Sequence, residues 1–271
     1  MKFIKKIIKF IKPEDKSSNE VILRYNEKKQ LKDKVVLITG AGKGIGRAIA
    51  KCFAGQGAKI FLNSRTLSDL ENLKNEIKNL GGDSHHFVGD ITNNDVVKKM
   101  FDELKSHYGK LDICINSAGT AKFGSIENFS KNEFQKIIDI NLSAVYSCIQ
   151  ESVKLMKMNG DQGKIITIGS VASHWSERGG DGSYTASKFG VHGMTESIAR
   201  QLHGTGSKIS VSLLCPGVVD TPLTNKNKDS NPDWLRPETV AESALHIATA
   251  PSNVNIFNLT IFGTEDKPFG K

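Results

Sequence analysis

Tyr184 and Lys188 stand four residues apart in Tyr184-Thr185-Ala186-Ser187-Lys188. On a helix that spacing puts both side chains on one face. A free phenol has a pKa near 10, and a neighbouring ammonium favours the phenolate and lowers that value. The pair can then give or take a proton closer to neutral pH. The spacing alone recurs by chance in many sequences, so its setting matters. Ser170 closes Ile168-Gly169-Ser170, just before the Tyr-Lys segment. A hydroxyl there can hold a substrate carbonyl oxygen, and ligands of open α/β sheets sit at such strand ends. Asn116 ends another apolar run in Asn116-Ser117-Ala118-Gly119, and Asn141 interrupts an otherwise apolar stretch over 137–145. A buried Asn needs partners, so Asn141 is either structural or part of a polar relay.

A second group of residues suits a dinucleotide. Thr39-Gly40-Ala41-Gly42-Lys43-Gly44-Ile45-Gly46 lies between an apolar run and an amphipathic one. Glycines permit the tight turn and let backbone approach a pyrophosphate, and the helix start offers free N–H groups to the phosphates. The next strand ends in Asn63-Ser64-Arg65-Thr66. A carboxylate there would bind the ribose 2′-hydroxyl of NAD, and none is present. Arg65, a bidentate phosphate binder, and Lys43 both point to the 2′-phosphate of NADP.

These residues need a frame, and the patterning supplies one. From residue 34 onward, β-rich runs at 35–39, 59–63, 86–88, 112–116, 164–168, 209–214 and 255–261 alternate with amphipathic runs. The amphipathic runs at 45–55, 67–80, 94–108, 131–158, 184–203 and 237–248 read as helices. Most strands are continuously apolar, as strands covered on both faces should be. The order predicts one α/β domain with a doubly wound parallel sheet of about seven strands flanked by helices.

The 271 residues carry a net charge of +8. Residues 1–34 hold 11 Lys/Arg against 5 Asp/Glu, and the remainder holds 26 against 24. The basic excess therefore belongs to an N-terminal extension, and a near-neutral body disfavours nucleic-acid binding. Cys52, Cys114, Cys148 and Cys215 form no C-x-x-C pair. They read as buried thiols in a reducing, cytoplasmic setting, without a metal site. Residues 1–12 separate their Phe and Ile residues from their lysines on a helical wheel. A helix of that length, about 18 Å, is too short to cross a bilayer. It suits an anionic membrane surface; packing on the body and organellar targeting are the other readings. Residues 14–33 read as a polar linker.

Together these motifs identify the chain as similar to the short-chain dehydrogenase/reductase family over residues 31–262, in its NADP-preferring carbonyl-reductase-like branch. The T-G-x-x-x-G-x-G loop, the N-[NS]-A-G segment, the helical Asn, the strand-end Ser, Y-x-x-x-K and Pro216-Gly217 all occur in the family order. The resemblance implies a Rossmann-type fold and an oxidoreductase that interconverts a ketone or aldehyde and its alcohol with NADP(H), NAD(H) being second choice. It implies that Tyr184 is the acid/base, that Lys188 lowers its pKa and binds the nicotinamide ribose, and that Ser170 orients the carbonyl. Asn141 would hold a relay water. Gly40, Lys43, Gly44, Ile45, Gly46, Arg65, Asp90, Ile91, Asn116, Ala118, Gly119, Pro216, Gly217, Val219 and Thr221 would join Tyr184 and Lys188 in binding the cofactor. Ser117 departs from the commonest N-N-A-G pattern.

Residues 171–183 carry His174, Trp175, Glu177 and Arg178 and should line the substrate entrance; His174 reads as a substrate contact or a surface residue, with a catalytic group as the lesser alternative. Residues 218–236 form a long polar loop, of the kind that covers substrate and cofactor. The long helices at 131–158 and 184–203 match the family's self-association surface, so a homodimer or homotetramer is expected. If the terminal helix recruits a membrane, lipid-like or 3-oxoacyl carbonyls become natural substrates. A dinucleotide-binding regulatory or scaffold protein of the same fold is the competing reading.

Overall fold

The computed structural model describes residues 29–176, 182–224 and 233–264. The expected terminal helix and most of the linker lie outside the described residues, as do Glu177, Arg178 and the middle of the 218–236 loop. Seven strands run β1 (Val35–Thr39), β2 (Lys59–Ser64), β3 (Asp83–Val88), β4 (Ile113–Asn116), β5 (Gln162–Ile168), β6 (Lys208–Pro216) and β7 (Asn258–Ile261). They form one parallel sheet in the order β3-β2-β1-β4-β5-β6-β7. The chain builds outward from β1 to β3, then crosses back to place β4 beside β1. That reversal opens a crevice beyond the carboxyl ends of β1 and β4.

The helices are α1 (Gly44–Gly55), α2 (Leu67–Asn79), α3 (Asn94–Tyr108), α4 (Lys131–Ile138), α5 (Ala144–Met158), α6 (Ser183–Gly204) and α7 (Pro237–Thr249). Successive strand residues point to opposite faces, and the core divides accordingly. Val36 and Ile38 join Ile49, Phe53, Leu73 and Leu245 under α1, α2 and α7. Val35 and Leu37 join Met100, Leu104, Ile149 and Leu202 under α3, α5 and α6. Cys114, Cys148 and Cys215 are buried and Cys52 is half-buried, all as free thiols.

Three details depart from the sequence reading. β3 begins at Asp83, because its half-exposed histidines hide an edge strand that pairs with β2 from Lys59 to Ser64. Leu31 is buried in the core beside α1, so the packed body already includes a residue of the supposed linker. The amphipathic run 131–158 is not one helix: a single π-helical turn, Asp139–Ser143, separates α4 from α5. Such widened turns concentrate at functional positions, and hydrophobic spacing cannot reveal them.

Candidate active site

A cleft of about 460 Å³ lies over the carboxyl ends of β1, β2, β4, β5 and β6. Its floor is the glycine loop. Gly40 has φ +67 and lies so close to β4 that a Cβ would stand 2.6 Å from the Ala118 Cα. Thr39 ties the same two strand ends together: its hydroxyl accepts from the Ala118 N–H (3.4 Å) and lies 3.5 Å from the Ile115 carbonyl. Gly40→Ala should therefore force β1 and β4 apart. We expect a loss on the order of 2 kcal/mol of stability, from a clash plus an unfavourable positive φ, together with lost dinucleotide binding. Thermal melting with and without NADPH checks both.

Beyond the loop, α1 begins with its Lys43 N-cap side chain making no capping hydrogen bond and with no acid in its first turn. Its first N–H groups thus face the cleft without a side-chain acceptor, which fits a pyrophosphate. By contrast, α3 is capped by Asn93, which accepts from the Asp95 and Val96 N–H groups, and α4 by Ser130.

The next wall is made by β2 and β3. Asn63 donates to the Phe87 and Gly89 carbonyls, both at 3.2 Å, and so fixes the start of the segment carrying Asp90. One oxygen of Asp90 accepts from the Thr92 N–H and hydroxyl; the other lies 3.9 Å from Arg65. Lys43 lies 3.4 Å from Asp69. Both cations are well exposed on the cleft rim, so water screens these pairs and leaves them weak, roughly 0–1 kcal/mol. Asp69 was not foreseen, because its approach to Lys43 joins a loop to the first turn of a helix 26 residues on.

At the opposite end, Ser170, Tyr184 and Lys188 line the same cleft. Ser170 leaves β5, and its Oγ accepts the Ala172 N–H at 3.1 Å. Tyr184 sits in the first turn of α6, half-buried, with Phe123 edge-on at 5.9 Å between ring centroids. Lys188 follows one turn later. Its Nζ donates to the Ile168 carbonyl at 2.9 Å and lies 5.6 Å from the Tyr184 ring centroid. Burial pulls the Lys188 ammonium down to about 8, partly opposed by Cys215. At neutral pH it is still mostly charged, so a cation stands beside the phenol.

Gly44, Ile45, Ile91, Gly119, Pro216, Gly217, Val219 and Thr221 also line the cleft, as expected, with Ile140, Leu223 and Thr224 added from segments without a motif. Three expected residues stand behind the wall. A Cβ on Gly46 would meet the Gly40 carbonyl oxygen at 2.5 Å, so this glycine serves packing within the loop. Asn116 is buried and donates to Thr167 Oγ1 at 3.3 Å, tying β4 to β5.

Asn141 accepts from the Thr120 N–H at 2.9 Å and donates to the Thr120 carbonyl (2.9 Å) and to Ser187 Oγ (3.1 Å). Ser187 in turn donates to the Tyr184 carbonyl at 2.7 Å. Both amide hydrogens of Asn141 are thus committed. Its side chain staples the segment after β4 to α6 and keeps no N–H for a relay water. His174 is absent from the lining among the described residues and is half-buried, with its ring against Asn258 and Thr260 of β7. The 218–236 loop closes at its base, where Leu235 N–H donates to the Val218 carbonyl and Asp220 N–H to the Leu235 carbonyl, both at 2.9 Å.

Among the described residues no cluster of metal-ligating side chains occurs, and no helix is long and apolar enough to cross a membrane. The family model for short chain dehydrogenases matches residues 34–232. An uncharacterised oxidoreductase of Staphylococcus aureus (strain MW2) is 34% identical over 232 residues, which cover 85% of this chain and 97% of the relative. Human dehydrogenase/reductase SDR family member 11 is 30% identical over 248 residues, covering 86% and 95%. Among solved structures, a short-chain type dehydrogenase/reductase from Mycobacterium marinum superposes with a TM-score of 0.80 at 28% identity, over 90% of this chain and 97% of that one. With its parallel sheet, its glycine cradle and this agreement over nearly the whole described body, the chain belongs to the short-chain dehydrogenase family of nicotinamide-dinucleotide-dependent oxidoreductases.

Proposed function

We propose that the protein is an NADPH-dependent oxidoreductase that interconverts a ketone or aldehyde and the corresponding alcohol, with Tyr184 as the acid/base. The observation that carries this reading is the convergence of Ser170, Tyr184 and Lys188 on the cleft whose other end is the glycine cradle. The chemistry that a bound nicotinamide supplies is hydride transfer to or from the carbonyl carbon. The chain's own residues do the rest. Gly40, Gly44 and the start of α1 would hold the pyrophosphate, and Lys188 would bind the nicotinamide ribose.

Ser170 Oγ receives the Ala172 N–H, which leaves its own hydrogen for a carbonyl oxygen entering the cleft. That contact polarises the carbonyl and fixes its orientation. Tyr184 gives its phenolic proton to the same oxygen in reduction and takes it back in oxidation. The Lys188 charge lowers the cost of the phenolate that forms. Asn141 contributes through position, because it holds both Thr120 and the Ser187 turn beneath Tyr184.

Preference for NADPH rests on the acid-free end of β2 and on Arg65 and Lys43 at the rim. Removing one charge-assisted phosphate contact costs about 1.5–3 kcal/mol, or roughly ten- to 150-fold. Arg65→Asp is therefore expected to raise the KM for NADPH at least tenfold and to leave or improve that for NADH. Parallel oxidation assays with the two dinucleotides and a panel of ketones and aldehydes test the proposal. Equal use of both by the parent protein would remove the NADPH assignment. Tight NADPH binding without oxidation by any carbonyl would favour a regulatory role instead.

A further inference from the structure

Behind Ser170 lies a polar unit that the mechanism does not use. The Ser170 N–H donates to Ser173 Oγ (3.3 Å), and the Ser173 N–H donates to the Ser170 carbonyl (2.9 Å). Ser173 thus brackets Ser170 from both sides. It is itself fully buried, with its hydroxyl against the Cys215 thiol of β6. The Ser173 carbonyl accepts from His192 Nδ1 at 3.0 Å. A carbonyl can only accept, so Nδ1 carries the proton. His192 stands on α6 one turn past Lys188, so the helix that supplies Tyr184 and Lys188 also clamps the turn that aims Ser170.

The adjacent His174 packs edge-to-face on His192, with ring centroids 4.8 Å apart. Its Nε2 meets Asn258 Nδ2 at 3.3 Å and Thr260 Oγ1 at 3.2 Å on β7. An amide N–H aimed at Nε2 requires that nitrogen to be unprotonated. Burial first, and His192 second, hold the His174 imidazole below its usual value. Among the described residues, the other ionisable groups next to the unit are Cys215 from β6, against Ser173, and Lys188 from α6. Among the described residues no carboxylate acts on His174.

We propose that His192 and His174, acting through Ser173, position Ser170 for carbonyl orientation and release it when the histidine pair takes up charge. This rests on the reading of Ser170 and Tyr184 given above. Two imidazolium rings this close repel each other. Protonating His174 also sets N–H against N–H at Asn258. The strain falls on the 171–173 turn, whose residues fix Ser170.

The test combines kinetics with histidine NMR on the intact protein. His192→Phe keeps a ring and removes the donor. It should lower kcat about tenfold, since small misplacements of an orienting group have large effects, with KM for NADPH changed less than twofold. His192→Asn restores a donor and should recover most of kcat. The parent kcat should fall on the acid side, at a pH below the ordinary histidine range because the His174 imidazole is held down, and His174→Asn should remove that limb. In NMR titrations, His192→Phe should raise the titration point of His174 toward the usual histidine value.

An unchanged kcat in His192→Phe, no recovery in His192→Asn, or an acid limb intact in His174→Asn would each overturn the proposal. An unmoved His174 titration would overturn it independently of turnover. Tyr184→Phe runs alongside: if that variant turns over like the parent, the acid/base reading fails, while the NMR comparison still decides whether the two histidines are coupled.

Discussion

Tyr184→Phe is expected to lower kcat by about three orders of magnitude while leaving NADPH affinity within twofold of the parent. A positioned general acid contributes roughly 10²–10⁴-fold, and the other acid lining the cleft beside Ser170 among the described residues is the Lys188 ammonium, whose charge the proposal gives to the phenolate and the ribose. Lys188 is committed to the Ile168 carbonyl, and His174 faces β7 rather than the cleft. The substitution removes one oxygen and keeps the ring that stacks edge-on with Phe123. Stability should therefore shift by no more than the roughly 0.5–3 kcal/mol of most point substitutions. Fluorescence titration with NADPH and steady-state kinetics on one ketone separate the two quantities.

Lys188→Met is expected to do two opposite things: reduce turnover at least a hundredfold and make the unliganded protein more stable. The first follows from losing the cation beside Tyr184 and the contact proposed for it with the ribose. The second follows from burial. The ammonium ionises at about 8 in the fold against about 10.4 in an unfolded chain. Below pH 8 both states hold the proton, and the fold bears the full cost of the buried charge, on the order of 3 kcal/mol at 1.4 kcal/mol per unit.

Methionine fills similar space without charge, while the Ile168 carbonyl loses its partner at about 1–2 kcal/mol. The net gain is on the order of 1–2 kcal/mol, or a few degrees in Tm. Between pH 8 and 10.4 the native lysine has released its proton and the unfolded chain still binds one. The parent therefore gains stability as pH rises through that window, and the Tm difference should shrink there. A Tm difference independent of pH between 7 and 10.5 would show that charge burial is not its cause.

Much of this architecture was legible because each local signal has one physical solution. A glycine trio between an apolar strand and an amphipathic helix has few uses, and Gly40 meets the close strand approach that such a loop serves. The alternation of strands and helices led to the parallel sheet, and all seven strands were located. What periodicity could not show was where a side chain turns once in place. Asn116 and Asn141 carry the right chemistry for a cleft, yet each spends it on neighbouring backbone or hydroxyls. The π turn around Asn141 leaves the hydrophobic spacing of its helix intact, so the sequence reads straight through it.

β3 began earlier than its apolar residues suggested, because an edge strand needs a buried face only in part. His174 looked like a loop residue; its partners Asn258 and Thr260 lie 84 and 86 positions away, beyond any local pattern.

The most direct test of the central claim follows the hydride itself. The protein is incubated with NADPH carrying deuterium at both positions of the nicotinamide C4 and with a panel of ketones and aldehydes, and the alcohol products are read by mass spectrometry. One deuterium is expected on the carbinol carbon of at least one product, with that product at or near background for Tyr184→Phe at equal NADPH occupancy. Bound NADPH with no label transferred to any carbonyl, or equal transfer by the Tyr184→Phe variant, would contradict it.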